Sequence, residues 1–174
     1  MTGSELIAGR LSGRPFQRDD WPLIAALHLD VRSAEWLLGP GDEPSEGRAR
    51  RIAESFAESW LSEGFGPYLW RLRGRPVGYA GLRRSRLEGL PEIEAVWAFD
   101  PTHWGRGYAT LAAAAALKAD GPKPGEGLSV ASWTRPHNAA SLKVMEKLGF
   151  AFEREANWAG LAHLVYRWRP EEPA

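Results

Sequence analysis

The residues with the clearest potential for chemistry form the glycine-rich stretch HWGRGYAT at positions 103–110. Two glycines one residue apart let the backbone turn tightly and point several N–H groups in one direction. The run that follows, Leu111 to Ala119, contains five consecutive alanines and favours helix. A helix that begins at a glycine turn attracts anions through its free N–H groups and its dipole, and Arg106 adds a positive charge. The sequence therefore predicts a phosphate or pyrophosphate site at residues 104–109.

An ordinary strand–turn–helix connection is the competing interpretation, and the usual nucleotide-binding motifs are absent. A dinucleotide fingerprint requires a third glycine near position 110 and an acidic residue about 20 positions further on. Position 110 is Thr110, and Glu126 falls on a predicted loop. No Gly-Lys-Ser/Thr run of a P-loop occurs either. A phosphate site at this turn would therefore belong to another phosphate-bearing ligand.

Composition narrows the classes of function. The 174 residues suit one domain, spanning 1–174, and the 22 basic residues equal the 22 acidic ones, which gives no support for nucleic-acid binding. The absence of cysteine excludes disulfides and thiolate chemistry. The four histidines are too far apart in sequence for a helical metal pair, so no metal site is expected. They are His28, His103, His137 and His163.

The distribution of apolar residues predicts a soluble, cytoplasmic protein. No apolar run approaches the roughly 20 residues of a membrane span. Met1 to Arg10 lacks the apolar core of a signal peptide. Residues 1–10 and 170–174 are expected to be loose termini.

Apolar periodicity predicts a mixed α/β fold around one sheet. The predicted strands are 11–16, 68–73, 76–83, 92–99, 128–133, 150–155 and 161–168. The predicted helices begin at 19–20, 45–46, 108–111 and 139, and the segment 36–41 is an apolar stretch without regular structure. In strand 92–99, alternation places Ile93, Ala95, Trp97 and Phe99 on one face, and Glu92, Glu94, Val96 and Ala98 on the other.

Three stretches together resemble a known family. They are EAVWAFDP at 94–101, WGRGYA at 104–109 and NAASLKVMEKLGF at 138–150. Their spacing and the order of the elements strongly resemble the GCN5-related N-acetyltransferase (GNAT) superfamily. The chain looks most like the branch that includes the ribosomal-protein alanine acetyltransferases RimJ and RimL.

The resemblance implies a GNAT-like fold, a mostly antiparallel twisted sheet with one splayed strand pair and helices on both faces. It also implies acetyl-coenzyme A as the donor and a primary amine as the acceptor. The coenzyme pyrophosphate would bind the backbone of Trp104, Gly105, Arg106, Gly107, Tyr108 and Ala109. The pantetheine arm would lie between strands 94–99 and 128–133, pairing with the backbone of Val96, Trp97 and Phe99. Asn138 matches a position that hydrogen-bonds this arm.

Amine acetylation requires a base, and Glu94 is the best candidate. It shares a strand face with Val96 and Ala98, which predicts a partly desolvated carboxylate. Glu92 lies on the same face and is a close competitor, and an ion-paired glutamate without catalytic function is the alternative. The alignment with the family favours Glu94.

Ser141 is the candidate for the acid, because it could donate a hydrogen bond to the leaving thiolate, and a water molecule is an alternative. Many family members carry a tyrosine at the position of Met145, which cannot donate a proton. Ser141 lies one helical turn earlier, on the same side of the helix. The RimL-like branch has a serine at this point, although an ordinary helix serine is a fair rival. Tyr166 is a more distant candidate.

Two departures from the family pattern concern Trp104, where many relatives have Gln or Arg, and Leu111, where close relatives often have Glu. The acceptor, a protein N-terminal α-amine or a small molecule, is expected near four apolar residues that could equally be core: Trp36, Leu37, Trp60 and Phe65. A protein that binds acyl-coenzyme A as a sensor without turnover is the alternative function. An exposed tryptophan patch could serve as a homodimer interface.

Overall fold

The computed structural model describes residues 4–123 and 126–170, so residues 1–3 and 171–174 of the predicted loose termini lie outside it. The described residues form thirteen main elements, in chain order. They are β1 (Leu6–Ala8), β2 (Leu11–Pro15), α1 (Trp21–Leu29), α2 (Val31–Leu37), α3 (Glu46–Ser62), β3 (Pro67–Leu72), β4 (Arg75–Leu87), β5 (Leu90–Phe99), α4 (Tyr108–Asp120), β6 (Val130–Thr134), α5 (Ala139–Lys147), β7 (Ala151–Trp158) and β8 (Leu161–Trp168).

The eight strands form one sheet in the order β1-β2-β3-β4-β5-β6-β8-β7. Neighbouring strands are antiparallel except β5 and β6, which run parallel and pair at Glu94 and Ala131. The predicted mixed, mostly antiparallel fold is confirmed.

Helices cover both faces of the sheet, as the alternation in β5 predicts. Its odd-numbered residues Ala95, Trp97 and Phe99 pack with α4 and α5 in two adjoining core clusters. Its even-numbered residues Val96 and Ala98 pack with α1 and α3 around Phe16, Phe56 and Tyr79. The strand therefore carries both layers of the core and directs its C-terminal end between them.

Two elements escaped prediction. Leu6–Ala8 forms β1, paired with β2, although the segment looked like a loose lead-in. Val31–Leu37 forms α2, because Asp30 ends α1 in an extended conformation and its side chain then accepts a hydrogen bond from the Arg32 N–H. The new helix carries part of the apolar segment that was expected to be irregular.

The turn between β4 and β5 is tighter than predicted. Residues 84–91 looked like a connection, but both strands continue and meet at Glu88-Gly89. These residues have φ of +50° and +82°, which matches a two-residue hairpin turn whose twist suits the flanking strands. The longer hairpin sets Arg83 directly opposite Glu94.

Candidate functional site

The site lies where β5 and β6 diverge. The two strands pair at Glu94–Ala131 and then separate, so the C-terminal end of β5 faces an open gap. A cavity of about 620 Å³ occupies this region. Its walls come from the end of β5, the glycine turn, the first turn of α4, one side of α5, and α2. That volume lies in the range of small-molecule sites.

The glycine turn forms one end of the cavity. Gly105 and Gly107 have φ of +72° and +76°, a conformation that other residues rarely adopt. Gly107 is also the N-cap of α4 and has no side chain to bond the first-turn N–H groups of Tyr108, Ala109 and Thr110. A Cβ atom at either glycine would meet nothing within 4 Å. The turn therefore presents free N–H groups beside open space, as an anion site requires.

Backbone groups of β5 face the gap at alternate residues. The Ala95 carbonyl accepts a hydrogen bond from Ser132 Oγ at 3.0 Å, and the Asp100 N–H donates to Val77 of β4 at 2.8 Å. Odd-numbered residues of β5 therefore face β6, and even-numbered ones face β4. Trp97 and Phe99 keep their predicted orientation toward the gap, whereas the backbone of Val96 is directed to β4.

Trp104 contacts the end of β5 that faces the gap. Its indole Nε1 donates to the carbonyl oxygen of Phe99 at 2.8 Å, which ties the glycine turn to the end of β5. The tryptophan thus has a structural contact where a phosphate-binding side chain would be expected.

The start of α5 forms the opposite wall. Asn138 caps the helix, since its Oδ1 accepts from the Ser141 N–H at 3.2 Å, and its Nδ2 donates to Thr134 Oγ1 at 2.9 Å. Ser141 Oγ in turn accepts a hydrogen bond from Trp97 Nε1 at 3.2 Å. Because that bond uses a lone pair of the hydroxyl, the Ser141 proton remains available for donation.

Glu94 is buried at the closed end of the gap. Its side chain is 7% exposed, and its Oε2 accepts from Arg83 Nε at 2.8 Å. Burial alone would lower the pKa of Arg83, but Glu94 raises it above its ordinary value, so the guanidinium stays charged. Burial also raises the pKa of the neighbouring Tyr79 to about 12. Glu94 does not line the 620 Å³ cavity.

Glu92, the other candidate base, belongs to a separate network of ion pairs. Both carboxylate oxygens of Glu92 accept from Arg167, at 2.6 and 2.9 Å. Arg167 also bonds Glu153, and the two carboxylates raise the pKa of the arginine. This arrangement favours a structural role for Glu92.

The cavity brings together nine of the twelve predicted site residues: Trp97, Phe99, Trp104, Gly105, Gly107, Tyr108, Ala109, Asn138 and Ser141. Glu94, Val96 and Arg106 do not line it, and Arg106 is exposed.

The predicted acceptor residues divide into two groups. Trp36 and Leu37 line the cavity from α2. Trp60 is core instead, since its Nε1 donates to Pro67 O at 2.9 Å and its ring packs on Tyr68. Phe65 packs against a third core cluster. For these last two residues the packing favours the alternative that they are core.

Tyr166, the remote candidate acid, packs edge-on against Phe152, with their ring centroids 5.7 Å apart. It is part of the core and does not border the cavity.

Sequence reasoning missed several polar residues of the site. Lys143 and Lys147 line the cavity from α5, and the His137 ring packs at a tilt against Trp36, with 5.1 Å between ring centroids. The two lysines are four residues apart and share a helix face with Ala139 and Ala140. This spacing could have identified them once the start of α5 was placed at the cavity.

The chain is similar to known proteins in its sequence. The sequence profile of the acetyltransferase (GNAT) domain matches residues 10–151. The chain belongs to the GNAT acetyltransferase family. The uncharacterized protein YkkB of Bacillus subtilis (strain 168) is 31% identical over 96 residues, which are 53% of this chain. The match spans 55% of that protein, about half its length.

Solved structures of acetyltransferases match nearly the whole chain. An acetyltransferase from Agrobacterium tumefaciens str. C58 superposes with a TM-score of 0.78 at 26% identity, covering 97% of this chain and 96% of its own. RimL, a ribosomal L7/L12 α-N-protein acetyltransferase in complex with coenzyme A, gives a TM-score of 0.74 at 16% identity. The match covers 96% of this chain and 98% of RimL, and at this identity it shows the shared fold.

In the part of the chain that the structure describes, no group of three His, Asp or Glu residues could hold a metal ion. None of the described helices has the length and apolar character needed to cross a membrane.

Proposed function

We propose that this protein transfers the acetyl group of acetyl-coenzyme A to a primary amine, either a protein N-terminal α-amine or a small molecule. The observation that carries this proposal is the gap between β5 and β6, which joins an anion-attracting turn to an apolar cavity. Coenzyme A has the matching shape, a pyrophosphate followed by a narrow amide-bearing arm. The family and the RimL complex with coenzyme A support it.

The residues present fit such a ligand. The free N–H groups from Gly105 to Ala109 would bind the pyrophosphate, with Lys143 and Lys147 as nearby cations. The backbone of Trp97 and the N–H of Phe99 would pair with the arm. Asn138 could add one N–H, because its cap and its bond to Thr134 leave one Nδ2 proton. Bound acetyl-coenzyme A would supply an activated acetyl thioester.

Proton transfer falls to two side chains. Glu94 would accept a proton from the ammonium form of the acceptor, and Arg83 balances its charge. Trp97 lies three positions after Glu94, about 10 Å along a strand, so the proton would pass through water. The neutral amine would bond the acetyl carbon as the C–S bond breaks. Ser141, held by the Trp97 indole, would donate its hydroxyl proton to the leaving thiolate and regain a proton from the acetylated nitrogen.

An acceptor screen tests the proposal. The protein is incubated with acetyl-coenzyme A and a panel of amines and short peptides, and thiol release is followed together with the mass of the acceptor. Acceptor-dependent thiol release and a product heavier by one acetyl group are expected. Coenzyme binding without thiol release in the presence of any amine would favour the sensor alternative. The buried Met145, which stands in place of a tyrosine, also favours that alternative.

Three finer points remain proposals. Ser141 supports placement in the RimJ/RimL-like branch, and RimL itself is named as an α-N-protein acetyltransferase. A cytoplasmic location rests on composition. A homodimer rests on exposed tryptophans, of which Trp104 and Trp158 are 44% and 37% exposed.

A further inference from the structure

We infer that the acceptor is a small primary amine that also carries an anionic group, a carboxylate or a phosphate, bound in a second cavity lined by Arg48, Arg51 and Arg83. This inference rests on the proposed function, because it places the acceptor beside Glu94, the proposed base.

The second cavity lies between α3 and β4 and has a volume of about 250 Å³. Its lining contains three guanidinium groups and a hydroxyl, and no carboxylate borders it among the described residues. The lining residues are Arg48, Arg51, Ile52, Ser55, Phe56 and Arg83. The small volume suits one carboxylate or phosphate with a few carbon atoms, which favours a small molecule over a polypeptide.

The guanidinium groups have unused hydrogen-bonding capacity. Arg48 binds Asp42 through both terminal nitrogens, at 2.9 and 2.7 Å, yet its buried Nε has no partner in the described chain. Arg83 bonds Glu94 through Nε, while its two terminal nitrogens make no hydrogen bond to a described residue. Arg51 forms no ion pair within residues 4–123 and 126–170.

The charges around this cavity therefore do not balance. Arg48 and Arg83, both partly buried, pair with Asp42 and Glu94, and the exposed Arg51 adds a third positive charge that is retained at any physiological pH. A bound carboxylate or phosphate would supply the missing negative charge, and its oxygens match the planar fork of a guanidinium.

Arg83 connects this cavity to the proposed chemistry. Its Nε contacts Glu94, while its guanidinium lies over the Phe56 ring, 5.9 Å from the ring centroid, at the cavity wall. An anion on the terminal nitrogens of Arg83 would thus be separated from the Glu94 carboxylate by one guanidinium group. The acceptor amine and its anionic group should be only a few bonds apart.

Calorimetry with matched amines tests the inference. The protein is first titrated with coenzyme A. The protein saturated with coenzyme A is then titrated with two pairs of amines, each with an anionic and a neutral member. The pairs are 4-aminobutyrate with n-butylamine, and phosphoethanolamine with ethanolamine. The anionic member of each pair should bind at least about tenfold more tightly, a difference of about 1.4 kcal/mol. Added salt should weaken its binding more than that of the neutral member.

Two neighbouring arginines provide a matched comparison. Arg51→Ala should weaken binding of the anionic amines about tenfold and raise their KM, leaving kcat and coenzyme affinity nearly unchanged. Arg51→Lys should retain part of the binding. Arg50→Ala should have no such effect, because the Arg50 side chain pairs with Glu46 and covers Trp21, away from the cavity.

The outcomes separate the two claims. Failure of coenzyme A to bind in the first titration would overturn the proposed function and the inference with it. Coenzyme binding with equal affinity for both members of each pair, or with no affinity for any of them, would overturn the inference alone. Equal effects of Arg51→Ala and Arg50→Ala, or stronger binding of an acidic N-terminal peptide than of any small amine, would also overturn it.

Discussion

The Glu94 side chain is shielded from bulk water, as expected of the proposed base, and it is also ion-paired with Arg83, which is the feature of the non-catalytic alternative. Glu92 lies two residues earlier on the same face and is held by Arg167. The two glutamates therefore permit a comparison on one strand.

Glu94→Gln should lower kcat by about 10²- to 10⁴-fold, because proton transfer is lost, while the affinity for coenzyme A stays nearly unchanged. Thiol release at a saturating amine concentration measures kcat, and calorimetry measures the affinity for coenzyme A. Glu92→Gln is the matched control and should retain most of the activity in folded protein. Equal loss of activity in both variants would remove Glu94 from the mechanism.

Ser141→Ala should reduce kcat about tenfold, because the proton donor is lost, with little change in coenzyme affinity. Ser141→Thr keeps a hydroxyl and should recover part of the rate. An unchanged kcat in Ser141→Ala, measured by thiol release, would show that Ser141 has only a structural role through its contact to Trp97.

At the residue scale, sequence reasoning found polar groups that adjoin the glycine turn and the start of α5, because spacing within one element fixes their positions. It missed the partner of Glu94. Arg83 lies opposite Glu94 only because the β4–β5 turn has two residues, and that turn looked like a longer connection. Small errors in a turn change every cross-strand pair.

At the scale of elements, the glycine turn and α4 form one unit. A residue other than glycine at φ near +76° costs about 1–2 kcal/mol, and its side chain would project beside the cavity.

Gly107→Ala should therefore weaken coenzyme A binding by tenfold or more in calorimetry. Gly149→Ala is the control, because Gly149 follows α5 with φ of +82°, also has no atom within 4 Å of an added Cβ, and does not line the cavity. The control should lose stability and retain affinity. Unaltered affinity in folded Gly107→Ala would mean that the anion site lies elsewhere.

Helix α1 contains a buried ionisable group, His28, which is 4% exposed. Burial, and next the charge of Arg48, lower the pKa of His28 below its ordinary value of 6.5. The unfolded chain therefore binds this proton more readily than the folded protein. The stabilising contribution is complete above pH 6.5 and is lost as the pH falls below that value.

Between pH 7.5 and 5.5, the free energy of unfolding should fall in the natural protein and fall less in His28→Leu. Urea unfolding at both pH values measures this difference. His137→Leu, which changes an exposed histidine, serves as the control and should keep the natural slope. An identical pH dependence in His28→Leu and the natural protein would show that His28 does not contribute.

Most helices and strands were predictable because their apolar periods are regular. The exceptions were short or locally determined. β1 has three residues and is stabilised by its pairing with β2 rather than by its own sequence. α2 begins immediately after α1, and its start depends on the cap by Asp30.

At the scale of the whole molecule, the sheet itself creates the site. β5 pairs along its full length with β4 and at one position with β6, so the sheet opens at its centre while the helices on both faces hold the walls of the gap. The element order and the resemblance to GNAT proteins predict this architecture. They do not predict which backbone groups face the gap, because that depends on register, as the orientation of Val96 shows.

We propose above all that this gap and its glycine turn bind coenzyme A. Calorimetric titration of the natural protein with acetyl-coenzyme A, coenzyme A and ATP, side by side, tests this proposal. Both coenzymes should bind much more tightly than ATP, because ATP has phosphates for the turn but no arm for the gap. Absence of binding by either coenzyme, in protein shown to be folded, would contradict the claim and leave the glycine turn as a structural connection only.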